Sequence, residues 1–242
     1  MPSIATTSAI LCLHGYGTNG AILRLQLRNL GAALEAHGFH LIFPDAPFIV
    51  SMPGPGAMPA FADGPRPFRR WHTDATLSKL FGVSDTAVQE EQKAVRKLLR
   101  DAVSRVEEEG GGQIVGVLGF SQGVGLAAGL CLDADLAAGI KFAVCVCGLY
   151  PALAVTDNAA WLAGRKEGRK IDIPSIHVMG TEDSWKGQGE KVMNDYFVPE
   201  KARKIECKIS HEIPSRPKDV AVVVDEVIKA WGDAGAKPTR QT

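Results

Sequence analysis

The chain has 242 residues, of which 45% are hydrophobic and 22% charged, the proportions of an ordinary globular protein. Lysine plus arginine and aspartate plus glutamate balance at 27 each, so no net charge favours nucleic acid or an anionic membrane surface. No apolar run approaches the roughly 20 residues that span a bilayer, and no signal-peptide pattern is present, so the sequence predicts a cytoplasmic protein without a membrane span.

Predicted strands and helices alternate along the chain. Short apolar runs predict strands at 9–13, 40–43, 114–118, 142–147, 176–179 and 205–209. Apolar residues at helical spacing predict helices at 21–37, 85–109, 124–132, 185–196 and 218–231. This alternation indicates the α/β class, with a mostly parallel central sheet and helices on both faces, in which ligands bind beyond the carboxyl ends of the strands.

The length of 242 residues suits one α/β domain, and the sequence shows no internal repeat and no second domain, so we expect a single α/β domain over residues 1–231. Residues 51–67 are rich in proline and glycine without hydrophobic periodicity, which predicts a long loop. Together with the following residues, this loop is expected to form a cap over the site at 51–83. Residues 232–242 lack a core-facing pattern and are expected to fray.

The five cysteines favour buried, reduced thiols over disulfides, because their number is odd and their spacing shows no pairing. Cys145 and Cys147 lie on the same face of one predicted strand. The neighbouring sequence holds no histidine or second cysteine pair that would complete a zinc set. We therefore expect neither a metal nor an organic cofactor.

Residues Leu118-Gly119-Phe120-Ser121-Gln122-Gly123 link a predicted strand to a predicted helix through a Gly-x-Ser-x-Gly pattern. In α/β-hydrolases such a turn holds the serine in a strained conformation and exposes its hydroxyl. The glycines two positions on either side let the strand and the helix approach closely. Ser121 is therefore the predicted nucleophile, the alternative being a glycine-rich turn with a bystander serine.

A serine hydroxyl needs a general base and a group that orients this base. Downstream of Ser121 the chain holds two histidines. His177 lies inside a predicted strand, where alternation points it away from the catalytic edge or buries it. His211 follows the last predicted strand directly and is the predicted base, the alternative being a histidine of a surface loop.

The orienting acid is expected between the serine and the histidine in chain order. Gly180-Thr181-Glu182-Asp183 follows a predicted strand at the right place, and from the residues alone either carboxylate fits, or both merely cap the next helix. Asp133, Asp135 and Asp157, which follow the preceding helix and strand, also lie in this interval. Asp157 is the credible rival, since some hydrolases place the acid one strand earlier.

An oxyanion intermediate needs hydrogen-bond donors that are in place before the reaction, and backbone N–H groups meet this need. One is expected from Gln122, directly after the nucleophile. The other is expected from the loop His14-Gly15-Tyr16-Gly17 after the first strand, from the N–H of Tyr16. We expect His14 to be structural and to hold this loop in shape.

Four blocks in this order resemble the FSH family of serine hydrolases: residues 11–19 (LCLHGYGTN), 43–47 (FPDAP), 119–123 (GFSQG) and 180–183 (GTED). The resemblance runs from Ala9 to Trp231 and is closest to fungal thioesterases of polyketide pathways, of the lovastatin-pathway type. It implies the α/β-hydrolase fold, with Ser121 as nucleophile, Asp183 as acid and His211 as base. One departure is visible, because family members often carry glycines before the histidine, whereas this chain has Ile209-Ser210-His211.

The resemblance also implies that the protein hydrolyses an acyl thioester and releases a polyketide chain from the acyl-carrier domain of a synthase. The residues themselves indicate only acyl transfer through a serine ester. This leaves open a general carboxylesterase, an acyltransferase that forms a lactone or ester, and a binding protein that keeps the fold without activity. Candidate walls of an acyl pocket are Trp71, Phe81, Leu149, Tyr150 and Trp185.

Overall fold

The computed structural model describes residues 8–54, 64–73, 84–108, 112–133, 136–152 and 170–235. The strands in these ranges are β1 (Ser8–Leu13), β2 (Phe39–Ile42), β3 (Phe48–Val50), β4 (Phe68–Arg70), β5 (Gln113–Phe120), β6 (Phe142–Val146), β7 (Ser175–Gly180) and β8 (Ala202–Cys207). The helices are α1 (Gly20–Gln26), α2 (Arg28–Ala36), α3 (Asp85–Glu108), α4 (Gln122–Leu132), α5 (Lys186–Tyr196) and α6 (Pro217–Asp233), with a 3-10 turn at Pro199–Lys201.

Six of the described strands form one sheet in the order β2-β1-β5-β6-β7-β8, and every neighbouring pair is parallel. The chain leaves β1 towards β2 and then returns to the other side of β1 to form β5. In open parallel sheets, ligands bind at the carboxyl edge where the strand order reverses in this way. The loop after β1 and the turn after β5 therefore lie side by side at the expected binding edge.

The sheet separates two hydrophobic cores because successive side chains of a strand point to opposite faces. On β5, Val117 belongs to one core, and its neighbour Leu118 belongs to the other together with Phe120. Helices α3, α4 and α5 pack on the first core, and α1, α2 and α6 pack on the second. The predicted parallel sheet with helices on both faces is confirmed.

A second, antiparallel pair of strands, β3 and β4, lies outside the main sheet. We did not predict these strands from the sequence, because each has three residues and shows no measurable periodicity. Their function in the fold is visible at Arg69, whose backbone N–H donates to Thr18 O and whose carbonyl accepts from Gly17 N–H, both at 2.8 Å. The pair thus holds the loop that follows β1.

Other boundaries differ in detail from the predictions. The helix predicted over 21–37 is two helices, α1 and α2, that meet at Leu27, and the last strand begins at Ala202 instead of Ile205. Ser84 caps α3, since its Oγ accepts from Ala87 N–H at 3.2 Å. All five cysteines are free, and no helix among the described residues has the length and apolar character needed to cross a membrane.

The predicted cap and tail are described only in part. Of residues 51–83, the structure describes 51–54 and 64–73, and the rest of the predicted cap lies outside the described residues. Helix α6 continues to Asp233, so the first two residues of the predicted tail are helical, and 236–242 lie outside the described residues. The single domain stays a prediction.

Candidate active site

Ser121 lies in the turn between β5 and α4, with a φ of 54° and a ψ of −118°. A positive φ is strained for a residue other than glycine, so it persists only where the surrounding structure holds it. Here the backbone N–H of Ser121 donates to Val146 O on β6, and its carbonyl accepts from Val124 N–H on α4, both at 3.0 Å. This geometry confirms the sharp, strained turn that the sequence predicted.

The two glycines of the pattern are required by close backbone contacts. A Cβ at Gly123 would lie 2.1 Å from Leu13 O at the end of β1, and a Cβ at Gly119 would lie 2.4 Å from Gly123 O. Any side chain at either position would force the strand, the turn and the helix apart. Glycine therefore sets how closely the serine turn approaches the loop after β1.

Ser121, His211 and Asp183 form a continuous chain of hydrogen bonds. His211 Nε2 lies 2.9 Å from Ser121 Oγ, and His211 Nδ1 lies 2.9 Å from Asp183 Oδ2. A carboxylate only accepts, so the neutral imidazole carries its proton on Nδ1 and leaves Nε2 free to accept the hydroxyl proton of the serine. The structure thus brings together three residues that are far apart in sequence, in the geometry that activates an alcohol.

Both carboxylate oxygens of Asp183 are hydrogen-bonded, Oδ2 to His211 and Oδ1 to the backbone. Its Oδ1 accepts from the backbone N–H of Trp185 at 2.8 Å, and its side chain is 1% exposed.

The other acidic residues considered for this role are placed differently. The neighbouring Glu182 has a side chain that is 57% exposed and lies near Lys208 instead. Asp133 is paired with Arg96 at 2.8 Å. The other two aspartates that we considered, Asp135 and Asp157, lie outside the described residues.

The imidazole of His211 lies between aromatic rings. Trp185 meets it edge to face, with ring centroids 4.6 Å apart and an interplanar angle of 87°, and Phe120 lies 5.4 Å away on a tilted plane. Such aromatic contacts are each worth about 0.5–1.5 kcal/mol beyond the area they bury. Trp185 was predicted as a pocket wall, and the structure places it in contact with the histidine.

Cys147, which follows β6, lies beneath the segment that carries His211. Its thiol lies 3.5 Å from Glu212 O and 3.8 Å from Ser210 O, as a weak donor to both carbonyls. Burial, followed by the negative charge of Asp183, raises the pKa of this thiol to about 12. The sequence predicted a buried, reduced cysteine here but gave no sign that it would lie beside the acid and the histidine.

The loop after β1 is organised around His14. Its Nε2 accepts from Ala46 N–H at 3.0 Å, so the neutral ring carries its proton on Nδ1, which donates to Gly15 O at 2.8 Å. Burial lowers the pKa of His14 to about 4, so the ring is neutral at pH 7. A Cβ at Gly15 would lie 3.2 Å from Ser121 Cβ, which places this loop directly against the serine.

The side chain of Gln122 connects the serine turn to the segment after β4. Its Oε1 accepts from Trp71 N–H at 2.9 Å, and its Nε2 donates to His72 O at 3.1 Å. Trp71 is fully buried, and its indole N–H donates to His14 O at 2.7 Å. The prediction that Trp71 lines the acyl pocket is therefore not supported, because its ring braces the loop after β1. Sequence reasoning assigned Gln122 only a backbone role.

Three predicted pocket residues remain: Leu149, Tyr150 and Phe81. Leu149 is half-buried, and its backbone N–H lies 3.4 Å from Ser121 O, so it is next to the nucleophile. Tyr150 is half-buried and packs against Tyr196, with ring centroids 5.8 Å apart. Phe81 lies outside the described residues. Leu149 stays a candidate for substrate contact on grounds of proximity.

The chain resembles proteins of known family over nearly its whole length. A family model described as serine hydrolase (FSH1) matches residues 3–223. Thioesterase FSL2 of Gibberella zeae is 37% identical over 238 residues, which cover 93% of this chain and 93% of that protein. The probable esterase azaC of Aspergillus niger is 32% identical over 231 residues, which cover 91% of this chain and 84% of that protein.

Solved structures share the architecture at low sequence identity. A carboxylesterase from Mesorhizobium loti matches with a TM-score of 0.58 and 14% identity, covering 92% of this chain and 89% of that chain. Identity at this level supports an inference about the fold alone. Together with the six-stranded parallel sheet, it confirms the predicted α/β-hydrolase fold.

Proposed function

The chain belongs to the FSH1 family of serine hydrolases and is an esterase or thioesterase, and from this premise we propose that Ser121, His211 and Asp183 are its catalytic triad. The observation that carries the proposal is the hydrogen-bonded chain from Ser121 Oγ through the imidazole to the carboxylate, with 2.9 Å at each step. The strained φ of Ser121 supports it further, because backbone strain in a folded protein concentrates at functional sites.

In the proposed reaction, His211 Nε2 takes the proton of Ser121 as Oγ attacks the acyl carbon. The tetrahedral intermediate then breaks its bond to the leaving sulfur or oxygen, which receives the proton from Nε2. Water then attacks the acyl-serine with His211 again as the base. The bond to Ser121 Oγ breaks, Oγ takes the proton from Nε2, and the acid is released. Asp183 holds Nδ1–H and stabilises the imidazolium that forms in each step.

We propose the backbone N–H groups of Tyr16 and Gln122 as the oxyanion hole. Gln122 is the first residue of α4, and the first N–H groups of a helix have no acceptor within the helix. The loop that carries Tyr16 packs against Ser121 through Gly15. Donors from two different segments can then converge on one oxygen, and each contributes roughly 3–4 kcal/mol to lowering the barrier.

For the substrate, we propose an acyl thioester whose polyketide chain is attached to the carrier domain of a synthase. The support for a thioester is the 37% identity to a protein named a thioesterase, over 93% of both chains. The polyketide chain and the carrier domain are proposed from the sequence resemblance alone. A second relative is named a probable esterase, which favours an oxyester as the alternative substrate. The free state of all five thiols agrees with the cytoplasmic location predicted from the sequence.

The triad is tested by single substitutions and matched controls. Ser121→Ala, His211→Ala and Asp183→Asn should each lower kcat on a p-nitrophenyl ester by about four orders of magnitude or more. Glu182→Gln, which removes the exposed carboxylate one residue earlier, should leave turnover unchanged. Fluorophosphonate should label the wild type and not Ser121→Ala. Turnover by Ser121→Ala at the wild-type rate would exclude the mechanism.

The substrate proposal needs a separate comparison. Rates on an acyl-pantetheine thioester, the same acyl group on a carrier domain, and a matched oxyester would rank the substrates. Mass spectrometry of the product distinguishes a free acid, which contains oxygen from water, from a lactone. A wild-type protein that fluorophosphonate labels but that prefers the oxyester would be a carboxylesterase with the same triad.

A further inference from the structure

We propose that Cys147, Asp183 and His211 together bind a thiophilic divalent cation such as Zn²⁺, and that the bound ion switches the hydrolase off. The ligand atoms of these three side chains all lie within 4.8 Å of one another. No other set of three histidine, cysteine or acidic side chains in the described part of the chain brings its ligand atoms this close. The proposed cation site shares Asp183 and His211 with the triad and adds the thiol of Cys147.

The three side chains converge from neighbouring strands. Cys147 follows β6, Asp183 lies in the turn after β7, and His211 lies in the segment after β8. The thiol of Cys147 is directed at the His211 segment, as its contacts to the carbonyls of residues 210 and 212 show. His211 Nδ1 and Asp183 Oδ2 are already 2.9 Å apart. A cation on the Nδ1 side of the imidazole therefore contacts Cys147 Sγ, His211 Nδ1 and Asp183 Oδ2 together.

These donors are the three kinds of protein ligand that zinc takes. Around a tetrahedral ion with bonds of 2.0–2.3 Å, neighbouring ligand atoms are about 3.3–3.8 Å apart, so the widest separation has to close by about 1 Å. Binding releases the thiol proton to solvent, and the thiolate and the carboxylate then balance the two charges of the ion. Three protein ligands leave the fourth position of a tetrahedral zinc ion for a water molecule.

The effect on activity follows from the imidazole tautomer. A neutral imidazole that binds a cation through Nδ1 carries its single proton on Nε2. Nε2 then donates to Ser121 Oγ and no longer accepts its proton, so the general base is lost. Removing the ion returns the proton to Nδ1 and restores the base. This inhibition depends on the proposed triad, whereas binding of the cation does not.

Binding is tested without any use of activity. Ser121→Ala protein is titrated with Cd²⁺, a spectroscopic substitute for Zn²⁺, and the ultraviolet cadmium–thiolate charge-transfer band is measured. We expect a band that saturates at one equivalent and that Zn²⁺ competes away. Adding Cys147→Ser to the Ser121→Ala protein should abolish the band. Adding Cys131→Ser should leave the band unchanged, since Cys131 lies on α4 and is not one of the three proposed ligands.

Inhibition is then measured on active protein. Zn²⁺ should inhibit the wild type and Cys131→Ser equally, and a chelator should reverse the effect. Cys147→Ser and Cys147→Ala should each need at least about tenfold more Zn²⁺ for half-inhibition, relative to their own metal-free rates. Equal inhibition with and without the Cys147 thiol would overturn the proposal, as would a band without inhibition. If Ser121→Ala is inactive and no band forms, the cation site is wrong and the triad stands.

Discussion

The substitution Gly123→Ala tests whether the two sides of the proposed oxyanion hole are held together by backbone contact. Gly123 is the second residue of α4, and its α-carbon faces the end of β1. A methyl group there would lie 2.1 Å from Leu13 O and 2.7 Å from Leu13 C, where real contacts of this kind are at least 3.0 Å. Both neighbours are backbone atoms, so no side chain can rotate away to relieve the clash.

The expected effect follows from this distance. The end of β1 and the start of α4 have to separate by about 1 Å, and the proposed donors, Tyr16 N–H and Gln122 N–H, lie on opposite sides of the gap. A misplacement of 1 Å costs about 100-fold in rate, close to the loss of one oxyanion donor. We therefore expect kcat to fall about 100-fold, with a smaller change in KM.

The assay measures kcat and KM on a p-nitrophenyl ester and divides kcat by the fraction of protein that fluorophosphonate labels, so that unfolded protein does not count. Gly187→Ala and Gly232→Ala are matched controls on α5 and α6, since no atom lies within 4 Å of a Cβ at either position. These controls should keep wild-type kcat and gain up to about 1 kcal/mol in unfolding free energy. A normalised kcat for Gly123→Ala within about threefold of the wild type would refute the reasoning.

Three further predictions concern stability and the histidine. Burial lowers the pKa of His14 to about 4 and that of His177 to about 3, whereas a histidine of the unfolded chain has a pKa of about 6.5. At pH values between the folded and unfolded pKa, the unfolded chain therefore binds more protons than the folded protein. The free energy of unfolding should therefore fall as pH drops from 7 to 5, by about 2 kcal/mol for each histidine, and a flat profile in urea denaturation would contradict this. Gln122→Ala removes both side-chain hydrogen bonds to the segment after β4 and should lower the unfolding free energy by about 2–4 kcal/mol, measured in the same way. Trp185→Ala should lower kcat by up to about tenfold and Trp185→Phe by less, through the lost contact with the imidazole, whereas a change in KM alone would mark a substrate contact.

The sequence by itself determined the features that depend on local pattern and chain order. The alternation of short apolar runs with helically spaced apolar residues predicted the parallel sheet. Strands buried on both faces read as continuous apolar runs, whereas helices buried on one face keep a helical period. The spacing of Gly119, Ser121 and Gly123 predicted the strained turn, since the pattern itself lies within five consecutive residues. The structure adds that glycine at 123 is also required by the approach of Leu13 O at the end of β1. His211 was preferred over His177 by the same reasoning, because one lies within a strand and the other follows one.

Only the tertiary structure decided which side chains meet. Glu182 and Asp183 are equivalent in the local pattern, and the direction of the chain after β7 buries one against the imidazole and exposes the other. The contacts of Trp71 and Cys147 join positions 50 or more residues apart, which no local period records. Sequence periodicity reports how each element is buried. Which groups come into contact depends on how the strand ends and loops are brought together, and packing of the whole chain sets this.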